Sequence, residues 1–311
     1  MGKKLVIDVI VLVLILFLFP SLCFAQGMGS STGIGLIYTQ ISSPRAEGMG
    51  GAFTAMEGDV NLINYNPAGL ANLKDREFSL AYLLGFGELN FANILYGQPT
   101  KWGVWGINLA YFNAGNIELN FSDGSVQILN AQSDYVILLS YAKEFFKNLP
   151  FGINLKYYSS SILQRNYTSA CALDLGILYH TPLDGLNLGF SLQNLGTKIK
   201  YYQTEENLPV SIRVGVSYFI SEDFPLISNL ELDYLLYESK ILASVGFEYL
   251  YANFLTLRLG YKFIGGAEGL TLGVGYTFVN EQDKPTYGID YAFGLSTVLV
   301  SNHRVSFKVR L

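Results

Sequence analysis

The sequence predicts an all-β chain: a closed antiparallel transmembrane β-barrel of about fourteen strands with an N-terminal hatch inside the lumen. Three observations carry this. From residue 77 onward apolar and polar side chains alternate with period two, in blocks of about ten residues, the length a tilted strand needs to cross a bilayer. Half of the 311 residues are hydrophobic and only 14% are charged, too apolar for an ordinary soluble surface. Past residue 25 no apolar run reaches the roughly 18 residues of a membrane helix, and hydrocarbon admits only one other spanning structure, a closed barrel with every backbone group paired.

Residues 1–25 have the make-up of a secretory signal peptide. Lys3 and Lys4 precede the apolar run VIVLVLILFLF, Pro20 breaks it, and the small residues Cys23 and Ala25 lead to a cleavage point after Ala25. Leu22 is a bulky residue where a lipoprotein signal wants a small one. The expected destination is the outer membrane of a diderm bacterium. Cys23 leaves with the leader, so Cys171 is left alone and no internal disulfide can form. A hydrogen-bonded wall must supply the stability instead.

Residues 26–76 are read as the hatch. The stretch SSPRAEGMGGAFTAMEGDVNLINYNPAGLANL has turn residues throughout, and only GGAFTAMEG has the composition of a short helix. Such backbone is intolerable in lipid, whereas inside a polar lumen its amides find partners. The candidate residues are Arg45, Gly48, Gly50, Gly51, Asp59 and the run Asn66, Pro67, Ala68, Gly69. Pro67 fixes one backbone angle and restricts Asn66 before it, and Gly69 allows a tight return, so the run is chiefly a shape. The hatch is expected to fill the barrel from the periplasmic end.

Residues 77–311 are read as the barrel. Strands are expected near 77–84, 89–97, 102–112, 134–143, 150–160, 168–180, 185–195, 209–219, 226–238, 241–250, 254–264, 269–278, 286–294 and 302–311. With the first strand running outward, the long connections 113–133, 161–167 and 196–208 fall outside, and short turns such as 98–101 and 181–184 fall in the periplasm. Connection 113–133 holds its own hairpin signal, IELNF and VQIL around Asp123-Gly124. Either it projects above the membrane or it adds two strands to the wall, making sixteen.

One face of each strand is greasy and the other carries charge and glycine. In FLTLRLGYKF, Leu255, Leu257, Leu259, Tyr261 and Phe263 oppose Thr256, Arg258, Gly260 and Lys262. Tyrosines recur at strand ends, where membrane girdles place them. The second face assigns to the lumen Asp174, Glu231, Asp233, Glu248 and Asp290, with Lys156, Arg213, Arg258, Lys262, Lys308 and Arg310. Mixed signs on neighbouring strands predict a cross-strand ionic lattice in preference to an ion-selective path. Gly176, Gly189, Gly215, Gly246, Gly260, Gly273, Gly275 and Gly288 lie on the same face, which lets the hatch approach closely.

RAEGMGGAFTAMEGDVNLINYNPAGLANL (45–73) resembles the N-terminal region of the FadL-type outer-membrane transporter superfamily, whose Asn-Pro-Ala motif lies in a hatch inside a fourteen-stranded barrel. ALDLGILY, LGFSLQNLG, LPVSIRVGVSY, VGFEYLYANFLTLRLGYKF and HRVSFKVRL resemble its PorV/PorQ branch. The order of these pieces is more specific than any one of them. The resemblance implies two activities. PorV/PorQ members are associated with type IX secretion and handle secreted proteins or their attachment machinery. FadL-type members pass long hydrophobic molecules such as fatty acids from an outside pocket through a kinked strand and out sideways. Only Asn66, Pro67 and Ala68 carry over as the hatch motif. Expected partners are therefore outer-membrane lipid, secreted proteins or secretion machinery, and a hydrophobic small molecule, met by a monomeric barrel.

Other functions find little support. The formal charge is −5 with no basic stripe, which disfavours nucleic acid. Only His180 and His303 are present, both near strand ends, and no serine or carboxylate is matched to them, so no enzyme is expected. Metal spacing of His and Cys is absent, and no cofactor is implied. Gly48-Met49-Gly50-Gly51 lacks the Lys-Ser/Thr and the strand–loop–helix of a phosphate loop. The sequons at Asn120 and Asn166 carry no meaning in a diderm bacterium.

Overall fold

The computed structural model describes residues 43–84, 89–164, 166–201, 204–263, 269–278, 285–295 and 302–311. The leader and residues 26–42 lie outside these. Helix α1 spans Pro44–Gly48, and 3₁₀ turns follow at Val60–Asn64 and Pro67–Asn72. The strands are β1 (Glu77–Leu84), β2 (Asn90–Thr100), β3 (Gly103–Asn113), β4 (Asn116–Asn120), β5 (Val126–Asn130), β6 (Gln132–Phe146), β7 (Leu149–Ile162), β8 (Asn166–His180) and β9 (Leu186–Gly196). They continue as β10 (Ile199–Tyr201), β11 (Thr204–Glu206), β12 (Ser211–Phe219), β13 (Leu226–Leu235), β14 (Lys240–Ala252), β15 (Leu255–Phe263), β16 (Gly269–Phe278), β17 (Thr286–Gly294) and β18 (Asn302–Arg310).

Fourteen of these strands close an antiparallel barrel, β18 returning to β1 with Leu80 opposite Phe307. The hairpin β4–β5 is a separate two-stranded sheet, so the wall does not gain the two extra strands that would make sixteen. A second small sheet, β10–β11, occupies the connection between β9 and β12. Closure leaves no strand edge to solvate, the condition for crossing hydrocarbon.

Alternation sets which face is which. In β7, Gly152, Asn154, Lys156 and Tyr158 are buried while Ile153, Leu155 and Tyr157 are exposed. The greasy outer surface runs round the whole wall. Aromatic side chains mark both rims: Trp102, Phe145, Phe146, Phe224 and Phe254 at the short-turn end, Tyr135 and Tyr237 at the end with the long connections.

The core sits inside the lumen. Val60, Ile63, Leu70 and Leu73 of the N-terminal segment pack against Leu95, Val104, Leu138 and Ala142 of the wall. A second cluster joins Ala46, Met49, Phe53, Met56, Leu62 and Tyr65 within the segment itself. Residues 43–73 thus occupy the part of the barrel nearer the short turns.

Candidate functional site

Local sequence shapes the segment in the lumen. The Ser43 side chain caps α1 by accepting the backbone N–H of Ala46 at 3.2 Å, and Pro44 supplies a preset angle at its first turn. Gly50, Gly51 and Gly58 all have positive φ, 67°, 81° and 68°. These bends keep GGAFTAMEG from forming the short helix its composition suggests; the helical turns lie on either side of it. A Cβ on Gly50 would also stand 2.9 Å from the backbone of Val245 and Tyr261, so the segment meets the wall backbone to backbone.

Asn66 is a three-way tie. Its Oδ1 accepts the Ala68 N–H at 3.1 Å and caps the turn opened by Pro67, while its Nδ2 donates to the carbonyls of Thr54 at 2.8 Å and of Ile177 in β8 at 3.0 Å. Gly152 and Gly176 make room beneath: a Cβ there would stand 2.3 Å from the Ala68 nitrogen and 2.1 Å from Asn66 Oδ1. Gly69 lies inside the 3₁₀ turn without a left-handed angle, so it does not act as the expected return. What it needs is space, since a Cβ would sit 2.6 Å from the Met56 carbonyl.

An ionic network fastens the segment to the opposite side of the wall. Arg45 grips Glu248 of β14 with Nε and Nη2, at 2.8 and 2.6 Å, and donates through Nη1 to Asp59 at 2.8 Å. Asp59 Oδ2 also accepts Lys308 Nζ of β18 at 2.7 Å, and its Oδ1 accepts the Asn61 N–H at 2.9 Å. Burial opposes ionisation of Asp59, but Lys308 and Arg45 outweigh it and hold the carboxyl well below the usual carboxylate range. Burial likewise opposes the charge on Arg45, yet Glu248 and Asp59 keep its guanidinium well above the ordinary value. From Glu248 the chain of pairs runs to Arg258 at 2.6 Å and from Arg258 to Asp290 at 2.6 Å.

The remaining sequence candidates fall into smaller groups. Arg213 reaches Glu231 at 3.3 Å and Asp233 at 2.9 Å, and Glu231 Oε2 accepts the N–H groups of Phe53 and Thr54, each at 2.8 Å. Lys156 pairs with Asp174 at 2.8 Å and donates to Asn194 Oδ1 at 2.7 Å. Lys262 binds Glu47 at 2.7 Å. Arg310 meets Glu77 at 2.7 Å on the rim, where its side chain is 43% exposed. Gly48 abuts Gly273, and Gly51 approaches only the flexible end of Lys262. Of the lumen glycines, Gly176, Gly189, Gly215, Gly246, Gly260 and Gly273 all face the segment. Gly275 faces Asp290 and Arg258, and Gly288 meets only ordinary contacts.

Sequence reasoning missed Glu47, Glu77 and Arg304, as well as wall amides and hydroxyls that bind the segment's backbone. Arg304 lies 3.6 Å from Glu47, and Glu77 accepts the Val60 N–H at 3.0 Å. Asn154, Gln193 and Asn229 donate to the carbonyls of Ile63, Tyr65 and Ala52, and Thr271 Oγ1 accepts the Gly50 N–H. Parity could have found all of these but Glu47. Asn154, Asn229, Thr271 and Arg304 each share the inward face with a residue already assigned to it, and Glu77 opens a block whose Leu80 and Tyr82 turn outward.

The loop end differs in kind. Leu83, Phe91, Phe112, Val136 and Tyr158 form a buried apolar cluster on the inward face of β1–β8, roofed by Ile199 of β10 and by Leu208. Tyr201 ties the roof to the wall by donating to Ser160 Oγ at 2.6 Å. Next to this cluster the β8–β9 ladder slips between Leu173 and Leu175. Asn194 takes φ 63° there, and Asp174 Oδ1 accepts its N–H at 2.8 Å. At the other end a cavity of about 580 Å³ is lined by Arg45, Glu248, Arg258, Asp290 and Lys308. Among the described residues no group of three or more metal-binding side chains occurs.

Comparison with solved structures decides the fold. The Pseudomonas putida toluene transporter TodX superposes with a TM-score of 0.57, at 14% identity, over 86% of this chain and 96% of its own. A FadL homologue of Pseudomonas aeruginosa gives 0.56 at 9% identity, over 86% and 97%. The fold is that of the FadL-type barrels. In sequence, the model of an uncharacterised protein family, UPF0164, matches residues 37–168. Two UPF0164 proteins of Treponema pallidum (strain Nichols) are similar: one is 25% identical over 178 residues, 52% of this chain and 44% of its own, and the other 31% identical over 90 residues, 28% of each. The match thus spans less than half the length of these curated relatives. The family match takes in the described lumen segment and the wall from β1 into β8.

Proposed function

We propose that this chain is an outer-membrane barrel of FadL type, exported by a leader cleaved after Ala25, that takes up or binds a hydrophobic small molecule. Residues 26–76 serve as its hatch. The observation that carries the reading is the apolar cluster inside the loop-end lumen, placed against the slipped β8–β9 ladder. The other apolar stretch of the inward face, Leu95, Val104 and Leu138, is already covered by the lumen segment, so the greasy patch beneath the roof marks where an apolar guest gains most from leaving water. Among the described pairings, the other register shifts lie beside turns, at Glu144/Phe146 and Leu250/Ala252. An irregular ladder beside the cluster offers a sideways route into lipid. The fold relatives point the same way, since TodX is a toluene transporter and CymD a monoaromatic hydrocarbon channel.

The test is to extract the barrel from outer membranes in mild detergent and identify bound lipid-like molecules by mass spectrometry, alongside uptake by a deletion strain. Phe112→Asn should lower ligand retention about tenfold, the worth of one buried aromatic contact. A ligand-free barrel together with unchanged uptake overturns the proposal.

One observation favours a second reading, handling of secreted proteins in the PorV/PorQ manner. Hairpin β4–β5 stands apart from the wall and exposes Phe121, Val126 and Ile128. Such an apolar tip above the membrane suits a protein partner. Recovery of secreted proteins or secretion machinery with the native barrel, lost on removing residues 116–130, is the result this reading requires.

A further inference from the structure

The short-turn rim carries a charge asymmetry that neither the lumen network nor the apolar cluster uses. The β2–β3 and β6–β7 turns flank the β3–β6 seam on one side of the barrel. They bring together Lys101, Lys143 and Lys147, with Lys143 on the outward face of β6 between Tyr141 and Phe145. None of the three has an ion-pair partner among the described residues. Glu144, the acid in this stretch, is engaged by the Asn148 N–H at 2.7 Å. Further round the rim the sign reverses, with Asp184 in the β8–β9 turn and Glu222 and Asp223 in the β12–β13 turn.

The lysines are set among aromatic rings that need an apolar medium. Trp102 is 66% and Trp105 54% exposed in the isolated chain. Lys101 Nζ lies 5.2 Å from the Trp102 ring centroid and Lys143 Nζ 5.7 Å from that of Phe145. Trp105 packs on Tyr141 at 4.7 Å, and Tyr141 Oη donates to the Trp102 carbonyl at 2.7 Å, which joins the two turns into one surface. Exposed indoles belong at the boundary between hydrocarbon and headgroups. Cations at that depth meet lipid phosphates. A zwitterionic headgroup brings its own cation to compete with them, while an anionic one does not.

We infer that the arc of Lys101, Trp102, Trp105, Lys143 and Lys147 binds anionic phospholipid headgroups of the leaflet at the short-turn end. The arc holds this lipid beside β3, β6 and β7, against the outer wall behind the packing of Val60, Ile63 and Leu70 on Val104, Leu138 and Ala142. It is a partner site separate from any guest in the lumen.

The chain contains two tryptophans and both lie in this arc, so tryptophan fluorescence, excited apart from the 22 tyrosines, reads it alone. The full chain is reconstituted in bilayers of equal phosphatidylglycerol and phosphatidylcholine, with brominated acyl chains on one lipid or the other. Brominated phosphatidylglycerol should quench more strongly, equivalent to a preference of about 5-fold. In the triple variant K101Q/K143Q/K147Q the preference should vanish, whereas E222Q/D223N further round the same rim should keep it. Folding is checked by the mobility of the unboiled barrel on electrophoresis. Should the triple variant not fold, wild type in about 1 M salt should lose the preference through screening. Equal quenching by both lipids in wild type overturns the inference, as does a preference that survives both the triple variant and salt. Tryptophans shielded from both lipids would place a second copy of the chain on this face and overturn it as well.

Discussion

The two halves of the wall hold the same N-terminal segment by opposite means. On the β12–β18 side, Arg45, Glu47 and Asp59 meet Glu248, Lys262 and Lys308 through directed bonds of 2.6–2.8 Å, with glycines making room between them. On the β2–β6 side, Val60, Ile63, Leu70 and Leu73 lie on Leu95, Val104 and Leu138 with no charge involved. Apolar contact supplies burial but tolerates small shifts. Ion pairs carry a desolvation cost that only good geometry offsets, so they gain little net stability and instead make any other seating of the segment costly. The comparison suggests one side for adhesion and the other for register.

Removing one member of the ionic hub tests this most severely. Asp59→Ala leaves Arg45 and Lys308 buried without their shared carboxylate, and should cost about 4 kcal/mol. Denaturant unfolding of the barrel in detergent measures this, with proteolysis of residues 43–73 as a second reading. Acid sharpens the point. Because Asp59 ionises well below the usual range, its contribution is fully present above about pH 4, the unfolded value, and is lost as pH falls through the lowered folded value. Wild type should therefore show a stability step at strongly acid pH that Asp59→Ala lacks.

On the apolar side, Leu138→Ala should cost about 3 kcal/mol through lost burial and a residual cavity. Its effect should be the same at low and high salt; a loss that depends on salt would break the contrast between the halves. The smallest effect is expected at the rim. His180 Nε2 lies 2.7 Å from Glu57 of the segment, with side chains 24% and 40% exposed. His180→Ala should shift stability by about 0.5 kcal/mol, and a loss near that of Asp59→Ala would mean that the rim, not the hub, holds the segment.

Much of the wall was legible in the sequence. The period-two pattern located all fourteen strands to within a few residues and put Asp174, Glu231, Glu248, Arg258 and Lys308 on the inward face. It separated β4–β5 only as an open alternative, because a hairpin signal is local while membership of the wall depends on which strands pair. Glu77 and Arg304 followed the same parity and were overlooked at the ends of their blocks. Glu47 carried no such signal, since an irregular segment has no period to read. The helical expectation for GGAFTAMEG failed because composition does not reveal that Gly50, Gly51 and Gly58 bend left-handed to meet the wall.

By itself, then, the sequence determined the wall's strand type, strand positions and which side chains turn inward, because backbone geometry repeats every two residues and lipid forbids an unpaired edge. Tertiary structure alone decided which inward groups meet. Arg45 finds Glu248 across 203 positions, Lys308 finds Asp59 across 249, and Tyr201 finds Ser160 through a folded connection. Closing a ring with a chain threaded inside it sets these encounters by register and curvature, and neither quantity is written in any local stretch of residues.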